Sequence, residues 1–203
     1  MSITLHHDDL PDGLDLGHKV AIDTETMGLK LTRDRLCVVQ LSSGDGTAHL
    51  VQIKADKQPS PNLKSLLENP EITKLFHFGR FDLAVLRRDI GAVNGPVFCT
   101  KIASKLSRTY TDRHGLSELV RELLEREISK QQQSSDWGAE TLTPAQQKYA
   151  AGDVLYLHQL AEKLEKMLIR LGRLELAEAC FEFLKHRVAL DLAGFEDTDI
   201  FHH

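Results

Sequence analysis

Val20-Ala21-Ile22-Asp23-Thr24-Glu25 is the stretch on which the reading of this chain turns. Val20 to Ile22 reads as a buried strand, and strand side chains alternate faces. Asp23 and Glu25 therefore point the same way at the strand's end. Two carboxylates held side by side repel each other and resist leaving water. A fold accommodates that mainly where a cation lies between them, and hard oxygen ligands on a rigid strand suit Mg²⁺ or Mn²⁺. Taken alone, the D-x-E pair also fits an acidic turn after an edge strand.

Two further segments bear on the choice. Thr73-Lys74-Leu75-Phe76-His77-Phe78-Gly79-Arg80-Phe81-Asp82-Leu83 reads as a short strand, a break marked by glycine, and a helix with Asp82 in its first turn. An acid there also complements the helix dipole. In Tyr149-Ala150-Ala151-Gly152-Asp153-Val154-Leu155, Tyr149 and Asp153 lie one helical turn apart on one face. The helix is rich in alanine and leucine, so a polar pair there needs a partner. A boundary tyrosine meeting a carboxylate at the surface is the plainer alternative.

The order D-x-E, then Asp82, then Y-x-x-x-D resembles the DEDD superfamily of 3′–5′ exonucleases, in its tyrosine-bearing, ribonuclease D-like branch. The resemblance covers roughly residues 18 to 165. It extends to Phe98-Cys99-Thr100, to Lys130-Gln131-Gln132-Gln133-Ser134-Ser135-Asp136-Trp137, and to Leu142-Thr143 with Gln146 ahead of Tyr149. Where the family often has Arg-Pro-Leu, this chain has Glu140-Thr141-Leu142, so no phosphate contact is carried over there. R-D-R-L-C-V-V-Q at 33–40, F-H-F-G-R-F-D at 76–82 and K-Q-Q-Q-S-S-D-W at 130–137 look like the nano-RNase C enzymes of alphaproteobacteria, a likeness running nearly end to end.

That resemblance implies a ribonuclease H-like α/β fold and a 3′–5′ exoribonuclease acting on very short RNA. It implies two divalent cations per site, Mg²⁺ or Mn²⁺, held by Asp23, Glu25, Asp82 and Asp153, with Tyr149 orienting or deprotonating the attacking water. It also implies a homo-oligomer, an octameric ring. Substrate contacts would come from Thr24 and Gly28, from Leu29 as an apolar wedge between bases or simply as core, and from His77 and Phe81 beside Asp82. Lys130 is a further phosphate candidate. Trp137 reads as packing rather than stacking.

Bulk properties agree with one soluble domain. The chain has 203 residues, 41% apolar and 27% charged, ample for a full core. No run approaches a membrane span, and the first residues lack a basic region followed by an apolar one. The scattered cysteines, Cys37, Cys99 and Cys180, read as thiols of a reducing cytoplasm. A net charge of −5 argues against tight binding along long duplexes, which needs many cationic phosphate contacts. Lys101, Lys105, Arg108 and Arg113 nevertheless cluster, with Tyr110 and His114 between them. They read either as a solvated face or, for Arg108 and Arg113, as phosphate contacts.

Strands are expected near 19–24, 35–42, 47–53, 73–77 and 97–99, with a possible edge strand at Ile3–Leu5. Ser43-Gly44-Asp45-Gly46 signals a hairpin. Helices are expected through Leu67, from the break at Gly79 to about 90, near 101–107 and 115–125, from Pro144 to about 170 behind Thr143 as N-cap, and over 173–187. Antiparallel strands followed by strand–helix alternation give a mixed sheet with helices on its faces. The catalytic core would span about 18–170, with a helical extension and tail over 171–203 and no room for an accessory domain. Leu190, Leu192, Phe195, Ile200 and Phe201 should be docked on this subunit or a neighbour. Two other functions stay open: trimming of longer structured RNA or DNA 3′ ends, and a non-catalytic nucleic-acid-binding protein on the same fold.

Overall fold

The computed structural model of the protein describes residues 2–56, 58–129 and 131–202. Six strands form one sheet: β1 (Ser2–His7), β2 (Lys19–Thr26), β3 (Leu36–Ser42), β4 (Thr47–Gln52), β5 (Thr73–Phe76) and β6 (Val97–Cys99), in the order β1-β4-β3-β2-β5-β6. The β2–β3–β4 meander is antiparallel, joined by the expected hairpin. β1, β5 and β6 add to it in parallel. Among the described residues the helices are α1 (Pro61–Glu68), α2 (Arg80–Asp89), α3 (Thr100–Ser107), α4 (Leu116–Leu124), α5 (Pro144–Leu155), α6 (Leu157–Arg170) and α7 (Leu174–Leu190). A π-helical turn over Asp191–Phe195 closes α7.

Every residue of β3 is buried, because helices cover both faces of the sheet. α5 lies across β1 to β4 on one face, over Cys37, Val38, Leu50, Trp137 and Leu142. The other face carries Leu36, Val39, Leu41 and Val51 into the larger core with α1, α2, α3, α6 and α7. The register slips between Glu25 and Thr26, which pair with Val38 and Leu36 and leave Cys37 as the extra residue of a β-bulge. Regular alternation up to Glu25 leaves it on the same face as Asp23, and the bulge follows where β2 ends.

The expected helix from Pro144 to 170 is two. Tyr156 (φ −107°, ψ −6°) interrupts it, so α5 stays on the sheet while α6 packs on α3 and α4. α5 starts as the sequence indicated. The Thr143 hydroxyl accepts from Gln146 N at 3.2 Å, and the Gln146 side chain accepts from Thr143 N at 3.0 Å, a reciprocal capping box. Cys37 and Cys99 are buried thiols, Cys180 is partly buried, and none is bridged. Among the described residues no helix is long and apolar enough to cross a membrane.

Candidate active site

Strand alternation places Asp23 and Glu25 on the face that α5 covers. From α5, Asp153 meets them: one carboxylate oxygen from each of the three lies within 4.8 Å of the others. Asp82, in the first turn of α2, is buried beside this group. Thr24 points to the opposite face of β2 and donates its hydroxyl to Asp82 Oδ1 at 2.6 Å. It thereby ties the strand to α2. Tyr149 lies one turn before Asp153 on α5, close enough for the phenol and the Asp153 carboxylate to shift one another's protonation. Its ring lies against Trp137, centroid to centroid 5.9 Å, and Trp137 is buried as packing. A cavity of about 290 Å³ opens on Tyr149, lined also by Ser129, Gln131, Lys148 and Tyr156.

Burial and mutual repulsion dominate the electrostatics. Burial first, then Asp82, Asp153 and Glu25, push the Asp23 carboxyl well above the usual range. Burial, then Asp153 and Asp82, raise Glu25 to about 9. Burial raises Asp82 to about 7 against the opposing hydrogen bond from Thr24. Burial and then Asp82 raise Asp153 to about 7. Tyr149 is raised by burial and by Asp153, Glu25 and Asp23. Such a cluster is unfavourable with protein groups alone. Its donor set of hard carboxylate oxygens fits a divalent cation of the Mg²⁺ or Mn²⁺ class. Asp23, Glu25 and Asp153 would hold it, with Asp82 alongside.

The remaining expected contacts divide. Leu29 is 82% exposed, so it is not a core residue. Gly28 has a reason to be glycine inside the protein itself: a Cβ there would lie 2.4 Å from Asp34 Oδ2. The Asp34 carboxylate closes this turn by accepting from Lys30 N at 2.9 Å and from Arg33. Phe81 is half-buried and shares a cavity with Leu29. His77 shares a hydrogen bond with Thr100 Oγ1 at 2.9 Å. Burial, and then Lys101, lower its pKa to about 3, so it is neutral at physiological pH.

Arg108 is a correction. It is 0% exposed, with its guanidinium paired to Glu122 and donating to Ser104 Oγ at 3.1 Å and Arg113 O at 2.8 Å. A buried, paired arginine holds the turn after α3 and has no face to offer a phosphate. The Arg113 side chain stays exposed, 3.9 Å from Glu122. Lys130 lies outside the described residues.

One residue escaped the sequence reading. Gln40, opposite Asp23 in the β2–β3 register, is fully buried and donates from Nε2 to Asp23 Oδ2 at 3.3 Å. Its signal was present: a lone amide inside the apolar run Leu36 to Leu41 needs a partner.

Residues 9–169 match the family model described as 3′-5′ exonuclease. Ribonuclease D of Acidiphilium cryptum is 37% identical over 156 residues, which are 77% of this chain and 39% of that protein. The chain thus spans about two fifths of the length of the Ribonuclease D relatives it matches. Among solved structures, Brucella melitensis NrnC bound to pGG has a TM-score of 0.96 at 59% identity, with 100% of this chain and 99% of that one covered. Brucella melitensis NrnC with bound Mg²⁺ has a TM-score of 0.95 at 58% identity, with both chains covered in full. The chain belongs to the 3′–5′ exonuclease family, and its helix-covered mixed sheet is that family's fold.

Two predictions follow from the charges. The carboxyls have folded-state pKa values above their unfolded ones, near 3.9 for Asp and 4.3 for Glu. The folded state therefore binds more protons at intermediate pH, and stability falls as pH rises through this window. In EDTA the melting temperature should drop steadily from about pH 4 to about pH 9, and Mg²⁺ or Mn²⁺ should remove most of that slope by binding the folded state. An EDTA profile flat over this range would refute the repulsive cluster. Arg108→Gln should cost about 1.5–3 kcal/mol in urea unfolding, the scale of a charge-assisted hydrogen bond lost from half-buried Glu122. A loss of substrate affinity at unchanged stability would restore Arg108 as a phosphate contact.

Proposed function

We propose that this member of the 3′–5′ exonuclease family is a divalent-metal-dependent exoribonuclease that degrades short oligoribonucleotides, dinucleotides included, to nucleoside 5′-monophosphates. The observation that carries the catalytic part is the convergence of Asp23, Glu25 and Asp153 with Asp82 beside them, and Tyr149 one helical turn before Asp153. The short-substrate part is supported by a relative of 59% identity solved with pGG bound.

Divalent cations, two per site as Mg²⁺ or Mn²⁺, would supply charge neutralisation and acidification of the attacking water. Gln40 fixes the Asp23 carboxylate and Thr24 fixes Asp82, so the acidic groups keep their geometry without further reorganisation. The raised pKa of Tyr149 keeps its phenol protonated. With cations on Asp23, Glu25 and Asp153 the carboxylates that raise it would be neutralised, and Tyr149 would orient or deprotonate the attacking water. Arg113 and Lys130 are the remaining phosphate candidates. Hydrolysis breaks the bond between phosphorus and the 3′ oxygen; that oxygen leaves with a proton, and the released nucleotide keeps its 5′ phosphate.

The same reading takes residues 18–170 as the catalytic core in a cytoplasmic homo-oligomer, most simply an octamer. Leu192, Phe195, Ile200 and Phe201 are exposed in the tail, and Leu176 and Phe183 on α7. A patch of that kind marks an association surface. Trimming of longer structured RNA or DNA 3′ ends is the second reading, in line with a likeness, at 28% identity, to Escherichia coli RNase D, an exoribonuclease involved in structured RNA processing.

Product profiles on 5′-labelled RNA and DNA, from dimers to long chains, test the proposal. Dinucleotides should be consumed fastest in Mg²⁺ or Mn²⁺ and not at all in EDTA. Rates that climb with chain length would favour the second reading. Asp23→Asn, Glu25→Gln, Asp82→Asn and Asp153→Asn should each abolish hydrolysis while leaving the metal-free protein as stable or more so; wild-type turnover in any of them would refute the assignment.

Tyr149→Phe should slow turnover roughly 10²–10⁴-fold, the scale of a positioned acid–base group, with substrate binding kept. A loss of only a fewfold would make Tyr149 structural.

A further inference from the structure

Helix α2 carries Asp82 in its first turn, and that turn lacks the usual means of holding itself. Gly79 precedes it and offers no side chain to cap the free N–H groups. Arg80 opens the helix, and a cation is the wrong charge for the positive end of the helix dipole. The other end of α2 is well tied. Arg88 donates to Leu31 O and, at 2.9 Å, to Asp34 O, while Asp89 accepts from Leu36 N at 3.1 Å. What fixes the start has to come from elsewhere in the chain.

It comes from the residues after α7. Arg80 donates from Nε to Asp191 Oδ2 at 2.7 Å and from Nη2 to Asp191 Oδ1 at 2.7 Å, a fork on one carboxylate. Nη2 also reaches Glu196 O at 2.6 Å. Asp191 is not free to follow a moving arginine. Its side chain is 3% exposed, and Arg187, one turn earlier, donates to it from Nε at 2.9 Å and from Nη2 at 2.6 Å. Arg187 also holds Phe195 O and, at 3.0 Å, Thr198 O. Thr24 fixes the Asp82 carboxylate through Oδ1; Arg80 fixes the backbone turn that carries it.

We propose that Asp191 is a positioning residue for the hydrolysis: acting through Arg80, it sets the first turn of α2 and with it the placement of Asp82 against Asp23, Glu25 and Asp153. This rests on the exonuclease reading above and goes beyond it, because it gives the residues after α7 a task inside their own subunit. Removing the carboxylate charge leaves two guanidinium groups facing each other, and Arg80 must swing away. The start of α2 then loosens, while Asp23, Glu25 and Asp153 keep their own supports on β2 and α5. A misplacement of about 1 Å at a reacting centre costs on the order of a hundredfold in rate, so a small shift suffices.

Two variants test this. Asp191→Asn keeps the size of the side chain and removes its charge; Arg80→Lys keeps the charge and removes the fork. With a short oligoribonucleotide in saturating Mg²⁺, kcat should fall about tenfold or more in both, with KM within about twofold. Mass in solution should stay that of the wild type. In EDTA, hydrogen exchange supplies a readout independent of turnover. The Leu83 amide, which donates to Gly79 O at 2.9 Å across the first turn, should exchange faster in both variants, and the amides of Tyr149 and Asp153 should not. Arg80→Lys decides the matter if Asp191→Asn does not fold. An unchanged kcat, a rise in KM alone, or a fall in kcat seen only with a lowered mass would overturn the brace while leaving the exonuclease reading in place. A wild-type protein inert on every oligoribonucleotide in Mg²⁺ or Mn²⁺ would bring down both.

Discussion

Like charge held together at the end of β2 is the constraint around which the rest of the structure is arranged. Four carboxyls are taken partly or wholly out of water, and burial contributes more to their raised pKa values than they do to one another. A flexible frame would relieve this by letting the groups drift apart. The frame here does not yield: β3 is buried along its whole length, regular pairing with β3 fixes the face that Asp23 and Glu25 show, and a capping box sets the start of the helix that delivers Tyr149 and Asp153. The unfavourable energy is stored where a cation can release it. Binding of the cation and completion of the site are then the same event.

How far this could be read from the sequence depends on whether a residue's role is local. The strand order of alternation, the hairpin at 43–46, the N-cap at Thr143 and the one-turn spacing of Tyr149 and Asp153 are local facts, and the structure keeps them. Arg108 shows the opposite. A basic residue among Lys101, Lys105 and Arg113 looks like surface charge, yet Glu122 fourteen positions later draws it fully inside. No periodicity carries that information, because the pairing is set by how α3 and α4 pack. The break at Tyr156 is similar, since the residues around it form helix well and only the change of packing partner bends the path. Gln40 lies between the two cases: its burial was legible, but its partner was not.

The C-terminal turn is the clearest tertiary effect. Its apolar residues suggested docking by hydrophobic contact. What holds it in this subunit is mostly polar: Asp191 is buried between Arg80 and Arg187, and both arginines also cap carbonyls of the turn. Two guanidinium groups on one carboxylate offset its desolvation, and their planar forks fix direction as well as distance. The apolar side chains are thereby left facing outward.

The candidate site reverses the ordinary distribution of polarity. Charged groups are normally outside and large apolar groups inside. Here the carboxylates turn in toward one another, while Leu29 and Phe78 stand in solvent and line one cavity. Each is next to a glycine with ordinary backbone angles whose missing Cβ makes room for a neighbour, Asp34 in one case and Phe76 in the other. Both turns are therefore tightly closed behind an exposed apolar residue, which holds that residue out at a fixed place. Rigid apolar surface outside and concentrated negative charge inside suit a ligand with a flat uncharged part and an anionic part, the anion being drawn in only with cations. The two closed turns, each shut behind a glycine, are what hold that reversal of polarity in place.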